Sequence, residues 1–251
     1  MYDLQKANMW KRISAAMCDG ILLCIVVIGF ALLLSSLLGY DAQADRLQAA
    51  YDGYALTYDV EFDLTAAEYA ALDAQAQAQY DAALEALAGD ADVNYLYGLL
   101  INFTLIIVTF SILLAYLLLE FVVPLLFGHG QTLGKKVFGI GVMRTDGVKL
   151  PPVLLFARTI LGKYTVETMI PALIAVMIYF NLMGLGGTLI ILGLWLVQII
   201  LLAATGKRTP VHDLLAQTVT VDIASQMIFD TPEARQRYIA EHANENDADY
   251  Q

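Results

Sequence analysis

The chain has 251 residues, 59% of them hydrophobic and only 16% charged, with a mean hydropathy of +0.62. Soluble domains carry about a quarter charged residues, so this composition excludes a water-surrounded core and indicates an integral membrane protein. The net charge of -11 excludes nucleic acid as a partner, and it is concentrated: residues 40–97 hold twelve Asp or Glu against the single Arg46, while the rest of the chain is balanced. Cys18 and Cys24 lie six apart in one apolar segment, too far apart along a helix to bond each other.

In chain order, each apolar run is judged against the roughly 20 residues a helix needs to cross the hydrocarbon core. Gly20 to Gly39 is the first run, and the twenty residues before it lack a small-residue cleavage pattern, so the reading is a retained helix and not a signal peptide. Tyr97 to Phe127 is long enough to tilt or extend past the bilayer. Val153 to Ala204 is interrupted by Met183-Gly184-Leu185-Gly186-Gly187, which suits a turn between two helices. The expected architecture is therefore an all-α membrane protein, a bundle of four transmembrane helices. Its parts are an N-terminus with helix 1 (1–39), an acidic, mainly helical insertion (40–96), helix 2 (97–127), an interfacial segment (128–152), helices 3 and 4 (153–205) and a tail (206–251).

Basic residues cluster before span 1, between spans 2 and 3 and after span 4, leaving only Arg46 in the other two connections. That asymmetry puts both termini and the 128–152 segment in the cytoplasm and residues 40–97 outside, in a cell (plasma) membrane protein. In the external segment, Tyr58 to Leu64 alternates apolar and acidic residues as a short strand does. Thr65-Ala66-Ala67-Glu68 then matches a capping box, and Tyr69, Leu72, Tyr80, Ala83 and Leu87 recur at helical spacing up to Gly89. The apolar face of such a helix needs cover, which docking as a lid over the external mouth would supply. The acids serve either as a collar that concentrates cations or docks a partner, or simply as a solubilising surface.

Between spans 2 and 3, residues 128–136 read GHGQTLGKK, whose glycine spacing and missing hydroxyl exclude a phosphate-binding loop. The segment reads instead as interfacial, with Val137, Phe138, Ile140 and Val142 entering the headgroup boundary while Lys135, Lys136 and Arg144 meet anionic lipid. Thr145-Asp146-Gly147 reads as a turn.

Ionisable residues at membrane depth carry the functional argument, because each costs about 2.5 to 3.5 kcal/mol on insertion scales and needs protein, water or a counter-charge. Arg12 and Asp19, seven apart, differ by about 20° in azimuth and about 10 Å in height, with Ala15 and Ala16 leaving room for a close neighbour. Glu120 and Glu167 each precede a proline by four residues, Pro124 and Pro171, which frees the glutamate's own carbonyl and offers a carboxylate and a carbonyl together; two ordinary kinks are the plainer reading. Pro210 suits a helix start, and His212 beside Asp213 titrates near neutrality or is an ordinary surface pair. For Arg12 and Asp19 a functional pair and a structural tether stand side by side.

Arg12 and Asp19, GQTLGKKVFGIGV at 130–142 with Asp146-Gly147, Arg158, and HDLLAQTVTV at 212–221 together resemble the RDD family of mostly bacterial membrane proteins, named for one arginine and two aspartates. The resemblance spans helices 1 to 4 and leaves out the acidic insertion and the tail after about Asp222. It implies Arg12 and Asp19 as family positions and Asp213 as the second aspartate, with Asp146 in another matching segment. It also implies transport, with cation/proton antiport in some members.

Two functions follow. One is secondary transport of a monovalent cation or small solute coupled to protons through Asp19 or a glutamate, in a homo-oligomer because four helices enclose little by themselves. The other is a non-catalytic scaffold binding a membrane partner. No nucleophile and base pair, metal-ligand cluster or cofactor motif appears, so neither an enzyme nor a cofactor is expected, and a metal is left undetermined.

Overall fold

In a computed structural model the described residues are 6–179, 183–204 and 210–248, with the side chains of 202–204 and 242–248 outside the description. Lys207, Arg208 and Thr209, part of the basic cluster and of the tail motif, lie outside it.

Among the described residues four helices are long and apolar enough to span a membrane: α1 (Met9–Leu38), α5 (Ala91–Phe127), α7 (Pro152–Tyr179) and α8 (Gly184–Ala204). They carry exposed apolar residues such as Met17, Ile21, Ile25 and Leu32 on α1 and Leu189, Trp195 and Leu196 on α8, surfaces that require an apolar surrounding. The shorter elements are α2 (Tyr40–Tyr58), α3 (Ala66–Ala71), α4 (Ala74–Gly89), α6 (Leu133–Val137), β1 (Ile140–Arg144), α9 (Val211–Leu215), β2 (Thr218–Asp222) and α10 (Pro232–Ala248). The chain divides into two compact units, residues 28–111 and residues 1–27 with 112–251.

The 28–111 unit holds the acidic insertion, which is helical from its first residue. α2 follows α1 after Gly39 alone, whose φ of +65° is the left-handed conformation glycine takes without strain. The alternation at 58–64 forms no strand: α2 runs to Tyr58 and a turn follows, because no neighbouring strand offers a ladder to that short segment. The capping box forms as its sequence requires, Thr65 accepting from the Glu68 amide while the Glu68 carboxylate accepts from the Thr65 amide. The helix then restarts at Asp73, whose carboxylate accepts from the amides of Gln75 and Ala76 at 3.0 and 2.8 Å. The apolar face finds cover inside the unit: Tyr69 packs on Tyr80, Phe62 lies between Tyr51 and Tyr80, and Ala83 and Leu87 are buried.

In the other unit, β1 and β2 pair antiparallel from Ile140 opposite Asp222 to Arg144 opposite Thr218. Lys6, shortly before α1, bridges Val221 and so joins the same ladder. Ile140 and Val142 therefore do not enter a headgroup layer as expected: Met143 is buried with Val219 and Val221, Val142 with Leu150 and Leu155, and Ile140 with Ala7 and Ala15, because two alternating segments far apart in sequence satisfy each other's backbone. Val137 remains exposed, and Lys136 stands 3.7 Å over the Phe127 ring. The Thr145-Asp146-Gly147 turn forms, with Gly147 at φ +81° and its amide donating to the Arg144 carbonyl.

Candidate functional site

A cavity of about 380 Å³ lies in the unit formed by residues 1–27 and 112–251. Arg12, Asp19, Glu120, Glu167, His212 and Asp213, singled out separately along the sequence, all line it.

On α1, Asp19 meets the N-terminus of α6. One carboxylate oxygen accepts from the Thr132 hydroxyl at 2.5 Å and the other from the Gly134 amide at 2.7 Å. The approach is so close that a Cβ on Gly134 would sit 2.4 Å from the Ala15 carbonyl, which is why glycine occupies 134 and a small side chain occupies 15. Arg12 lines the same cavity.

Glu120 and Glu167 sit in stretches where α5 and α7 widen into i→i+5 turns, Leu117–Val122 and Arg158–Met169, each ending just before its proline. A missing proline amide leaves a carbonyl without its i+4 donor, and the wider turn redistributes the bonds that remain. The freed carbonyl of Glu120 is not open to a ligand: the Thr159 hydroxyl donates to it at 2.9 Å. The Glu120 carboxylate instead faces Lys163, Nζ to Oε2 2.6 Å, an ion-pair contact outside hydrogen-bond angles.

Glu167 accepts from the His212 backbone amide at 3.1 Å, and Nδ1 of the same histidine lies 2.8 and 2.9 Å from its two oxygens. With a carboxylate at Nδ1, the neutral imidazole carries its proton there. His212 Nε2 faces Asp213 Oδ1 at 3.7 Å. Burial, reinforced by the Arg158 charge, lowers the His212 pKa from its ordinary 6.5. Helix α9, which carries both residues, lies flat on α7: a Cβ on Gly162 would stand 2.5 Å from the His212 Cβ.

Asp213 forms the most enclosed pair of the site. Arg158 Nε donates to its Oδ1 at 2.8 Å, with the two side chains 2% and 1% exposed, and Thr218 from β2 donates to the same oxygen at 2.7 Å. Burial alone would raise the Asp213 carboxyl, but the Arg158 charge beside it and the hydrogen bond from Thr218 hold it well below the ordinary carboxylate range. Its Oδ2 is buried without a hydrogen-bond partner.

Three cavity residues were not anticipated as site residues. By sequence, Arg158 and Lys163 fall with Lys135, Lys136, Arg144 and Lys149 in the basic cluster between spans 2 and 3 that sets orientation, yet α7 encloses them and Lys163 stands four residues before Glu167. Lys135, expected at the lipid boundary with Lys136 and Arg144, is 8% exposed and lines the cavity, because α6 turns it inward where Asp19 fastens that helix to α1. Arg144 pairs with Asp146 at 2.7 Å on the surface, and Lys136 is exposed.

A second, mainly apolar cavity of about 440 Å³ lies beside the first, between α7 and α8, with Glu167 on the lining of both. Among the described residues no group of three His, Cys, Asp or Glu side chains is placed to hold a metal ion. The site therefore offers paired charges, a buried imidazole and a carboxylate at the border of a polar and an apolar space.

The sequence pattern of the RDD family matches residues 6–217. No curated protein and no solved structure matches the chain.

Proposed function

The chain belongs to the RDD family, and on that premise we propose that it is a membrane transport protein, a secondary carrier of a monovalent cation or small solute coupled to protons. The observation that carries the reading is the charged cavity, to which α1, α5, α6, α7 and α9 each contribute ionisable groups. Charges at membrane depth are costly, and a fold that gathers them around open space has a use for that space. Glu167 and His212 supply a carboxylate and an imidazole in direct contact, a pair along which a proton can be relayed. The cavity is assigned no catalytic step.

In the proposed arrangement the protein resides in the plasma membrane with both termini and the 128–152 segment cytoplasmic and the acidic insertion outside, as the distribution of basic residues favours. The carrier works as a homo-oligomer, since four helices enclose little path alone. A partner-binding scaffold is the second reading, favoured by the Arg158–Asp213 pair, whose side chains are enclosed as those of a structural link are.

The test is flux of the purified full chain in proteoliposomes, across a panel of monovalent ions and small solutes under an imposed pH gradient. Proton-coupled flux that falls about tenfold or more in Glu167→Gln supports the carrier; a folded protein inert to the whole panel supports the scaffold. Labelling of an Ala74→Cys variant from outside intact cells checks orientation, and labelling only after permeabilisation reverses it.

A further inference from the structure

Lys135 is the cavity residue that the bonding pattern leaves over. Its Nζ is buried, makes no hydrogen bond and lines the cavity. The charged groups facing it are Glu120 from α5, Lys163 and Arg158 from α7 and Asp19 from α1. Each is already engaged: Glu120 with Lys163 at 2.6 Å, Arg158 with Asp213 at 2.8 Å, and Asp19 with Thr132 and Gly134. An ammonium buried without a partner is destabilising, and packing alone would be served as well by methionine.

The charge balance of the cavity gives the amine a purpose. The lining carries four carboxylates, Asp19, Glu120, Glu167 and Asp213, and four basic side chains, Arg12, Lys135, Arg158 and Lys163, around a neutral His212. With Lys135 protonated the set is neutral, and an entering cation adds a buried charge with nothing to cancel it. Without that proton the set carries one negative charge, which a singly charged cation cancels and a doubly charged one oversteps. The other bases are poor candidates for the exchange, because guanidinium does not deprotonate, Lys163 is held against a carboxylate and His212 is already neutral.

We propose that Lys135 is the proton-exchanging group of this cavity, releasing one proton for each singly charged cation the cavity takes up. The inference rests on the transport reading and narrows its substrate to monovalent cations. On release an Nζ–H bond breaks, the electron pair stays on nitrogen and the proton passes to water. Burial, with Lys163 and Arg158 close by and Glu120 opposing them, lowers the Lys135 pKa from 10.5 to about 7, so both forms are accessible near neutral pH.

The experiment separates binding from transport. Sodium or potassium chloride is added to weakly buffered full-length protein in detergent, and proton release is read with a pH dye alongside cation binding. Below about pH 6 the expected result is one proton per cation bound, with apparent affinity rising about tenfold per pH unit up to about pH 7 and levelling above it as release falls away. Lys135→Gln is expected to bind the cation with no proton release and no pH dependence. Lys135→Arg, fixed in the charged form, is expected to lose cation binding at least about tenfold. Below about pH 6, cation binding by the wild type without proton release, or undiminished release from Lys135→Gln, overturns the role of Lys135 and leaves transport standing. Neither binding nor flux in the wild type overturns the transport reading itself. Should Lys135→Gln fail to fold, Lys135→Met serves in its place.

Discussion

The two units of the chain are both rich in charge and use it in opposite ways. In the 28–111 unit nearly all the carboxylates are exposed and several act on near neighbours: Glu68 and Asp73 close helix starts, and Asp52 accepts from Gln48 four residues before it at 2.9 Å. In the other unit the charges are enclosed and reach across the sequence, Arg158 to Asp213 over 55 residues and Asp19 to Gly134 over 115. Solvated charge is cheap and can remain local, whereas enclosed charge must find a partner wherever the chain can supply one. Buried ion pairing across long stretches of sequence therefore marks the site, and the density of charge in the sequence does not.

The sharpest test of that contrast is the Arg158–Asp213 pair. Arg158→Met alone is expected to cost about 3–5 kcal/mol, because it strands a buried carboxylate, and the double variant Arg158→Met/Asp213→Leu is expected to recover most of it. Unfolding in detergent measures both. A single variant costing less than 1 kcal/mol would make this pair no different from a surface one. The pH dependence follows with its sign: Asp213 is held below its ordinary 3.8, so its contribution is complete above that value and is lost as pH falls through the lower folded value. The stability gap between wild type and Asp213→Asn is therefore expected to stay level from pH 7 to about 4 and to shrink only below.

Glycine substitutions sharpen the comparison at smaller amplitude. Gly162→Ala drives a methyl group into His212 and is expected to destabilise by about 1–3 kcal/mol. Gly53→Ala, in α2 with nothing within 4 Å, is expected to stabilise by about 0.5–1 kcal/mol. The smallest effects belong to the caps: Thr65→Ala or Asp73→Ala is expected to cost about 1 kcal/mol, read as faster hydrogen exchange within 66–89 and no change in cation binding at the cavity.

The sequence disclosed much of this site, for a physical reason. Arg12, Asp19, Glu120 and Glu167 stand out because charge is scarce in apolar helices, and scarcity is visible without coordinates. Lys135 was misread because a lysine beside a membrane span normally snorkels to lipid, and only the Asp19 bond to the start of α6 turns it inward. The β1 and β2 ladder was hidden for another reason. Each strand is five residues long and its partner lies beyond two membrane-length helices, so no local pattern connects them. The acidic insertion was legible at Thr65 and Asp73, where capping is a matter of a few neighbouring residues, and illegible at 58–64, where an alternating pattern met no partner strand.

That ladder also has an arithmetic consequence. A hydrogen-bonded ribbon of soluble backbone lies wholly on one side of a bilayer, since neither strand can leave the other without exposing its amides to hydrocarbon. Lys6, β1 and β2 are all stitched into it, before α1, after α5 and after α8. Between the first stitch and the second, and again between the second and the third, the chain must return to the side it left. Crossings are therefore expected in pairs, two and two. On that expectation the parity is set by hydrogen bonds, and charge edits to the flanking lysines and arginines are expected to invert the whole protein and not to make it cross three times or five while the ribbon stays closed.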